Sequence, residues 1–270
     1  MFTPRTPALL LTLALLGPAA VALPTPAGPA LLVQDDEELP DKREVVENLI
    51  DELKGHVKKK GDEDDQAIAI IDKLKQEFDL SGPKDRKDIV EAIDDAMMAK
   101  RKDIRSGKSS TPDVRLALSS AIVLGYMGPE STKPLIKAAT GKKLNRSEAL
   151  HREVILSLGK TEDEDAIDPL LELAAYKLAY VQGAAIEGLG NFRDVEQDVR
   201  KEIFNELMKN IMPIKAALEN DANDILARER YDVIAPPTIT TLQRLTDKTI
   251  RDFNEWQTWW NDHKRDDWDA

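Results

Sequence analysis

The amino-acid sequence predicts an all-α fold, an α-solenoid (superhelix) of antiparallel helix pairs. Residues 113–207 contain three copies of one unit, in which an apolar helix ends in Leu-Gly, a short polar turn follows and a second apolar helix begins. The three pairs are Leu124-Gly125, Leu158-Gly159 and Leu189-Gly190, and their spacing is that of a helical-hairpin repeat. The periodic segments follow the helical period of about 3.6 residues, and none alternates as a strand would.

The first helices of the three copies carry matching residues when they are aligned on the Leu-Gly pair. Positions eight, four and three residues before the leucine share one helical face and are apolar or small: Leu116, Ser120 and Ala121; Leu150, Val154 and Ile155; Val181, Ala185 and Ile186. We expect the glycine to end each helix with a positive φ, which glycine adopts without steric cost.

The second helices of the first two copies begin with a proline. They read Lys133-Pro134-Leu135-Ile136 and Asp168-Pro169-Leu170-Leu171. Proline is tolerated there because the N–H groups of a first helical turn have no intrahelical partner. The third copy, in residues 198–207, keeps the apolar pattern without the proline.

These motifs resemble the HEAT and HEAT-like repeat family. The run Asp113-Val114-Arg115, followed by Ala117, Ala121 and Leu124-Gly125, is similar to the first-helix signature of that family, and residues 132–139 are similar to its second helix. Tetratricopeptide repeats have a similar period, but their Leu-Gly lies inside the first helix, whereas here a turn and a Pro-led helix follow at once. The resemblance implies an array of repeats, spanning residues 111–210, that binds a protein partner through the concave face of its stacked helices.

The N-terminus predicts export. Residues 1–22 combine Arg5, an apolar run over 8–16 and the small-residue site Ala20-Val21-Ala22, which is typical of a secretory signal. The run is too short for a membrane span, so we expect no membrane insertion of the mature chain and a periplasmic or extracellular location. Residues 23–40 are rich in Pro, Ala and acidic residues and are predicted to be a disordered linker.

Composition excludes several kinds of site. The chain has no cysteine, which removes disulfides, thiolate metal sites and a lipid anchor on cysteine. Its formal net charge is −12, and nucleic acids and anionic membranes call for basic patches instead. The sequence therefore predicts neither nucleic-acid binding nor a cofactor.

Residues 41–110 are predicted to form three N-terminal helices that act as degenerate, capping repeats. The first ends near Lys60 and the second begins near Asp62, because cations favour a helix C-terminus and anions an N-terminus. Ser81-Gly82 stops the second helix and Pro83 opens the third. Residues 105–111 are predicted to be a Gly/Ser loop, with Thr111 as N-cap and Pro112 as the first residue of the next helix.

Residues 211–264 are predicted to be C-terminal capping helices. Pro236-Pro237 is expected to open one helix, and Asp252 to cap the last one, with Glu255 completing a capping box. This last helix, with Phe253, Trp256 and Trp259-Trp260, resembles a Trp-rich tail that follows HEAT-like repeats in exported or uncharacterised bacterial proteins.

The aromatic helix admits two interpretations. It can bury the last apolar face of the solenoid, or Trp256, Trp259 and Trp260 can form an exposed patch that binds a partner. Residues 265–270 are predicted to be a charged tail in which Trp268 has no structural role.

The residues that could carry chemistry do not converge. The histidines His56, His151 and His263 are far apart in sequence, and the acidic turn 162–165 is explained by the helix that follows it.

The leading hypothesis is therefore a non-catalytic, exported scaffold for protein–protein interaction in the cell envelope, and we expect no catalytic residue, cofactor or metal. Neither the partner's identity nor the oligomeric state is indicated. One alternative is an envelope or polysaccharide-binding module that uses the Trp-rich end. A lyase-type enzyme is another, because some HEAT-like repeats resemble those of phycobilisome lyases.

Overall fold

The structure, a computed structural model, describes residues 39–106, 109–111, 113–142, 144 and 147–269. The predicted signal segment and linker residues 23–38 lie outside this part of the chain. The described residues form eleven α-helices and one pair of three-residue strands. The helices are α1 (Glu44–Val57), α2 (Asp64–Phe78), α3 (Pro83–Met97), α4 (Arg115–Leu124), α5 (Thr132–Thr140), α6 (Glu148–Lys160), α7 (Ile167–Ala174), α8 (Ala179–Leu189), α9 (Gln197–Asn220), α10 (Ile225–Thr246) and α11 (Phe253–His263). Strands β1 (Ile104–Ser106) and β2 (Ser109–Thr111) pair antiparallel.

The helices alternate between two layers. Layer A consists of α2, α4, α6, α8 and α10, each packed against the next, and layer B of α1, α3, α5, α7 and α9. Helix α11 packs against α9 at the C-terminal end. The prediction of an α-solenoid of helix pairs is confirmed. Each layer-A helix, however, packs most closely against the layer-B helix that precedes it in the chain, and not against the one that follows its Leu-Gly turn.

The aligned positions of the three copies form the core of layer A, as predicted. All nine residues at these positions and the three leucines of the Leu-Gly pairs are buried. Each Leu-Gly turn continues through a short 3₁₀ turn into layer B, at Gly128–Ser131, Glu164–Ala166 and Phe192–Asp194. In the first two copies α5 and α7 then begin two residues before Pro134 and Pro169, so each proline lies in the first turn of its helix.

The reason predicted for the Leu-Gly glycines is wrong. Gly125 and Gly190 have φ of −61° and −68°, and Gly159 lies inside α6. They are needed for close approach between neighbouring helices. A Cβ on Gly159 would lie 2.4 Å from Gly188 Cα, and one on Gly125 would lie 3.0 Å from Ser157 Cα.

Helix α10 is a fourth copy of the layer-A helix, which the sequence analysis missed. Ile234, Thr238 and Leu242 repeat the spacing of the first helices and are buried. The small residue before this leucine, Thr241, contacts Gly190 at the end of α8. A Cβ on Gly190 would lie 2.9 Å from Thr241 Oγ1. The position of the glycine is taken by Gln243, since no further layer-A helix follows in the described chain.

Two predicted boundaries are corrected by the helices themselves. Pro236-Pro237 lies inside α10 and does not open it. Likewise, α9 continues through residue 210, so the division expected there falls within a helix.

The start of the first repeat also differs from the prediction. Thr111 lies in β2 opposite Ile104 instead of capping a helix, and α4 begins at Arg115. The carboxylate of Asp113 accepts a hydrogen bond from the Arg115 backbone N–H at 3.3 Å. Pro112 lies outside the described residues. The expected Gly/Ser loop is therefore partly a short hairpin, because its two sides pair with each other.

The N-terminal helices follow the predicted pattern. Helix α1 ends at Val57, α2 begins at Asp64 and α3 begins at Pro83. Asp64, the first residue of α2, is buried and pairs with Arg101, whose Nε lies 2.9 Å from both carboxylate oxygens. This ion pair ties the start of α2 to the segment after α3.

Candidate functional site

The aromatic residues of α11 pack around Phe204 of α9. Trp260 stacks on the Phe204 ring with centroids 4.9 Å apart, and Trp256 meets it edge-on at 5.6 Å. Asp252 caps α11 as predicted, because its carboxylate accepts hydrogen bonds from the Asn254 and Glu255 backbone N–H groups. The helix therefore lies with its aromatic face on the last helix of layer B.

The structure brings together the three tryptophans considered as partner-binding residues. Trp256 is 0% exposed and has no surface to offer a partner. Trp259 and Trp260 are half-buried and pack against the core of the same cluster. This arrangement favours the structural interpretation of the aromatic helix over the exposed patch.

Trp268 was expected to lie in a tail without a structural role, and this expectation is corrected. Its ring lies edge-on to Phe204 at 5.9 Å, and its indole N–H donates to the His263 carbonyl at 3.1 Å. Gln197 accepts its backbone N–H, and Arg200 forms an ion pair with Asp269. The segment after α11 is therefore bound by three side chains of α9, Gln197, Arg200 and Phe204.

The first exposed feature of layer A is formed by α4 and the turn that follows it. Leu118 and Ile122 are four residues apart on one face of α4, and Tyr126 lies in the turn two residues beyond the end of the helix. Ile122 is 40% and Tyr126 60% exposed. The Tyr126 ring lies between two cations, with Lys75 Nζ 4.5 Å and Lys160 Nζ 5.6 Å from its centroid. We call Leu118, Ile122 and Tyr126 the α4 ridge.

The second feature is a groove that runs over α8 between α6 and α10, which we call the α8 groove. It has a volume of about 470 Å³. Gly183 and Ala184 form its floor, so α8 is recessed between its neighbours. The other residues that line it are Glu148 and Arg152 of α6, Tyr180 and Glu187 of α8, and Val233, Pro236, Pro237, Thr240, Thr241 and Arg244 of α10.

Gly183 is buried and is packed less tightly than Gly159. A Cβ on Gly183 would lie 3.4 Å from both Cγ1 and the carbonyl oxygen of Val233, at the lower limit of an ordinary contact, whereas a Cβ on Gly159 would overlap Gly188. Glycine in a helix costs about 1 kcal/mol relative to alanine. A side chain at this position would press against Val233 at the side of the groove.

Charges are placed along the α8 groove in a definite order. Arg152 and Glu187 form an ion pair across its middle, with Nη2 and Oε2 2.7 Å apart. Glu148 lies towards the N-terminal end of α8 and Arg244 towards its C-terminal end. Among the described residues, neither of these two charges forms an ion pair. Within the described chain, the groove therefore has an unpaired carboxylate, Glu148, at the N-terminal end of α8 and an unpaired guanidinium, Arg244, at its C-terminal end.

The two prolines of α10 leave backbone carbonyl groups beside the groove without their helical hydrogen-bond donors. Pro236 and Pro237 have no N–H, so the carbonyls of Asp232 and Val233 cannot receive their usual helical hydrogen bonds. The Val233 carbonyl oxygen would lie 3.4 Å from a Cβ on Gly183, which places it at the groove floor. The groove thus combines apolar walls with a backbone acceptor.

Tyr180 is positioned by the single buried histidine of the repeats. The Nε2 of His151 donates to the Ala139 carbonyl at 2.7 Å, since a carbonyl can only accept, and Nδ1 is left to accept from the Tyr180 hydroxyl at 3.2 Å. Burial raises the pKa of Tyr180, and the nearby carboxylate of Glu148 raises it further. His151 is therefore a packing residue, and Tyr180 is a neutral phenol at neutral pH.

The other residues considered for chemistry have structural partners. In the acidic turn, Asp163 accepts the Asp165 backbone N–H, which starts the turn that leads to α7. His56 bonds Glu63, and His263 bonds the Trp259 carbonyl. Within the described ranges, no three His, Asp or Glu side chains are grouped so that they could hold a metal ion. No helix of the described chain is both long and apolar enough to cross a membrane.

Comparison with known proteins agrees with this architecture. Residues 106–190 match the family model of HEAT repeats. The match spans α4 to α8 and thus the part of the chain in which the Leu-Gly pairs were found. No curated protein matches the chain. The finding supports a HEAT-like repeat protein.

We predict that Trp268→Ala lowers the free energy of unfolding by about 2–4 kcal/mol, because it removes a large aromatic ring from the cluster around Phe204. Urea denaturation followed by circular dichroism measures the change. Trp268→Phe is the control, and its loss in the free energy of unfolding should be less than half of that caused by Trp268→Ala. An unchanged denaturation midpoint for Trp268→Ala would show that the returning chain does not stabilise the C-terminal end.

Proposed function

We propose that this chain, whose central helices are HEAT-like repeats, is a non-catalytic scaffold that binds a protein partner on the outward face of layer A. HEAT repeats are in general protein-interaction scaffolds. The observation that carries the assignment to layer A is the α4 ridge, where Ile122 and Tyr126 expose apolar and aromatic surface in the middle of the repeats.

The chemistry of the ridge suits a protein partner. Tyrosine offers a large, rigid contact area at a low cost in conformational entropy and is enriched where interfaces bind most strongly. Lys75 and Lys160 both contact the Tyr126 ring and restrict it, so less freedom is lost when a partner covers it. Lys160 also forms an ion pair with Glu153, so the ridge favours a partner surface of apolar and aromatic side chains, with a carboxylate only near Lys75.

The two alternative functions have less support. A polysaccharide-binding module would need exposed tryptophans, whereas Trp256 is buried and its neighbours pack around Phe204. A lyase-type enzyme would need polar side chains directed at a substrate, and His151 and Asp163 are instead engaged in packing and capping. Neither is proposed here.

We predict that Ile122→Asp combined with Tyr126→Ala weakens binding of the native partner by about 100-fold or more, since hot-spot residues each contribute about 2 kcal/mol. The partner is obtained by chemical crosslinking of the full chain in its native host, and its affinity is then measured with purified proteins. Val45→Asp is the matched control, because Val45 is similarly exposed but lies on α1 in layer B. Equal affinity for the ridge variant and the control would refute layer A as the binding face.

We further propose that the scaffold acts outside the cytoplasm, in the cell envelope. The proposal rests on Arg5, the apolar run over residues 8–16 and the small residues 20–22, which together have the pattern of a cleavable signal. We predict that the mature protein begins near Leu23. N-terminal sequencing of protein purified from the native host checks this, and bulk protein that still begins at Met1 or Phe2 would contradict it.

A further inference from the structure

We propose that the α8 groove binds an amphipathic α-helix of the partner protein, oriented antiparallel to α8, with an acidic residue of its first turn against Arg244. This inference rests on the proposed scaffold function, since it assigns a specific element of the partner to one part of layer A. It concerns a surface separate from the α4 ridge.

The dimensions of the groove fit a helix. Helix α8 has 11 residues, so at about 1.5 Å per residue its groove is roughly 16 Å long, and a partner helix of about 12–15 residues covers it. Helices α6 and α10 form two parallel walls, and the recessed floor at Gly183 and Ala184 lets a third helix approach. Amphipathic helices bind in grooves of this kind through apolar anchors three or four residues apart.

Apolar side chains are concentrated at the N-terminal end of α8. Tyr180 and Val233 line the groove there, and exposed apolar residues continue beyond it at Tyr176 and at Leu226, which is 78% exposed. Arg230 joins the two sides, because its guanidinium donates to the Gln182 side chain and to the Tyr176 carbonyl. Two exposed apolar segments are thereby held side by side, where the leucine-like residues of a partner helix would be buried.

Electrostatics determine the orientation of the bound helix. The C-terminal ends of α8 and α10 carry negative partial charge, and Arg244 lies at this end without an ion-pair partner among the described residues. A partner helix that points its N-terminus here aligns its dipole favourably, and an acidic residue in its first turn meets Arg244. At the opposite end Glu148 faces the C-terminal turn of the partner, where a lysine or arginine is favoured.

Gly183 shapes the space that the bound helix would occupy. A Cβ there would meet Val233 at 3.4 Å, and the residue lies in the interior of α8, where alanine would favour the helix more. The missing side chain leaves space above α8 and brings the Val233 carbonyl, which Pro237 cannot bond, within reach of a donor on the bound helix.

The probe is a display library of helical peptides of about 15 residues, panned against the full-length chain. We expect the enriched peptides to carry apolar residues at positions i, i+3 or i+4 and i+7, an acidic residue in the first turn and a basic residue in the last. Thr240→Trp, at an exposed position of α10 that lines the groove, should weaken these peptides by about tenfold or more without lowering the melting temperature, and Gly183→Trp should weaken them as well. Gly55→Trp is the matched control, because Gly55 is also a helical glycine and nothing lies within 4 Å of its Cβ position.

A charge reversal tests the orientation. Panning against Arg244→Glu should select lysine or arginine in the first turn of the peptide instead of glutamate or aspartate. The proposal is overturned if no amphipathic peptide is enriched, if the enriched peptides bind Gly183→Trp as tightly as the wild type, or if Arg244→Glu selects the same first-turn charge. These outcomes are distinct from a failure of the scaffold function, which the ridge variant tests with the native partner.

Discussion

The structure depends on direct backbone contact between neighbouring helices of layer A. At the closest point Gly159 of α6 meets Gly188 of α8, and a single methyl group on Gly159 would lie 2.4 Å from the Gly188 Cα atom. Gly125 makes the corresponding contact with the Ser157 backbone, and Gly190 approaches the side-chain hydroxyl of Thr241. The stack therefore propagates from α4 to α10 by one repeated geometry, and it ends where glutamine replaces glycine.

The same spacing determines which surfaces remain available. Because the layer-A helices approach so closely through small residues, their outward faces form one surface whose relief depends on the size of the side chains outside the contacts. Ile122 of α4 and Tyr126 of the turn after it form a ridge, whereas α8 carries Gly183 and forms a groove. The C-terminal aromatic cluster closes the other layer, where Phe204 is covered by residues that return from α11. The proposed binding surface and the structural end thus lie in different parts of the chain.

The repeats could be read from the sequence because burial follows the helical period, and all positions aligned on the Leu-Gly pairs are in the core. The role of the glycines could not, because contact between two backbones depends on residues from different copies. The fourth copy was hidden by Pro236-Pro237, which indicates a helix start locally but is accommodated inside α10. Trp268 was judged from its charged neighbours, although its role depends on Phe204, far away in the sequence. The α8 groove could not be predicted from the sequence, because it forms only where residues of α6, α8 and α10 come together around Gly183.

The free energy of unfolding of Gly159→Ala tests the backbone contact most directly. Urea denaturation should show a loss of at least about 2 kcal/mol, because the methyl group forces α6 and α8 apart. Gly55→Ala is the control on α1, where a Cβ meets nothing within 4 Å, and it should gain about 0.5–1 kcal/mol from helix propensity. If Gly159→Ala is as stable as the wild type or gains stability as the control does, the close contact does not hold layer A together.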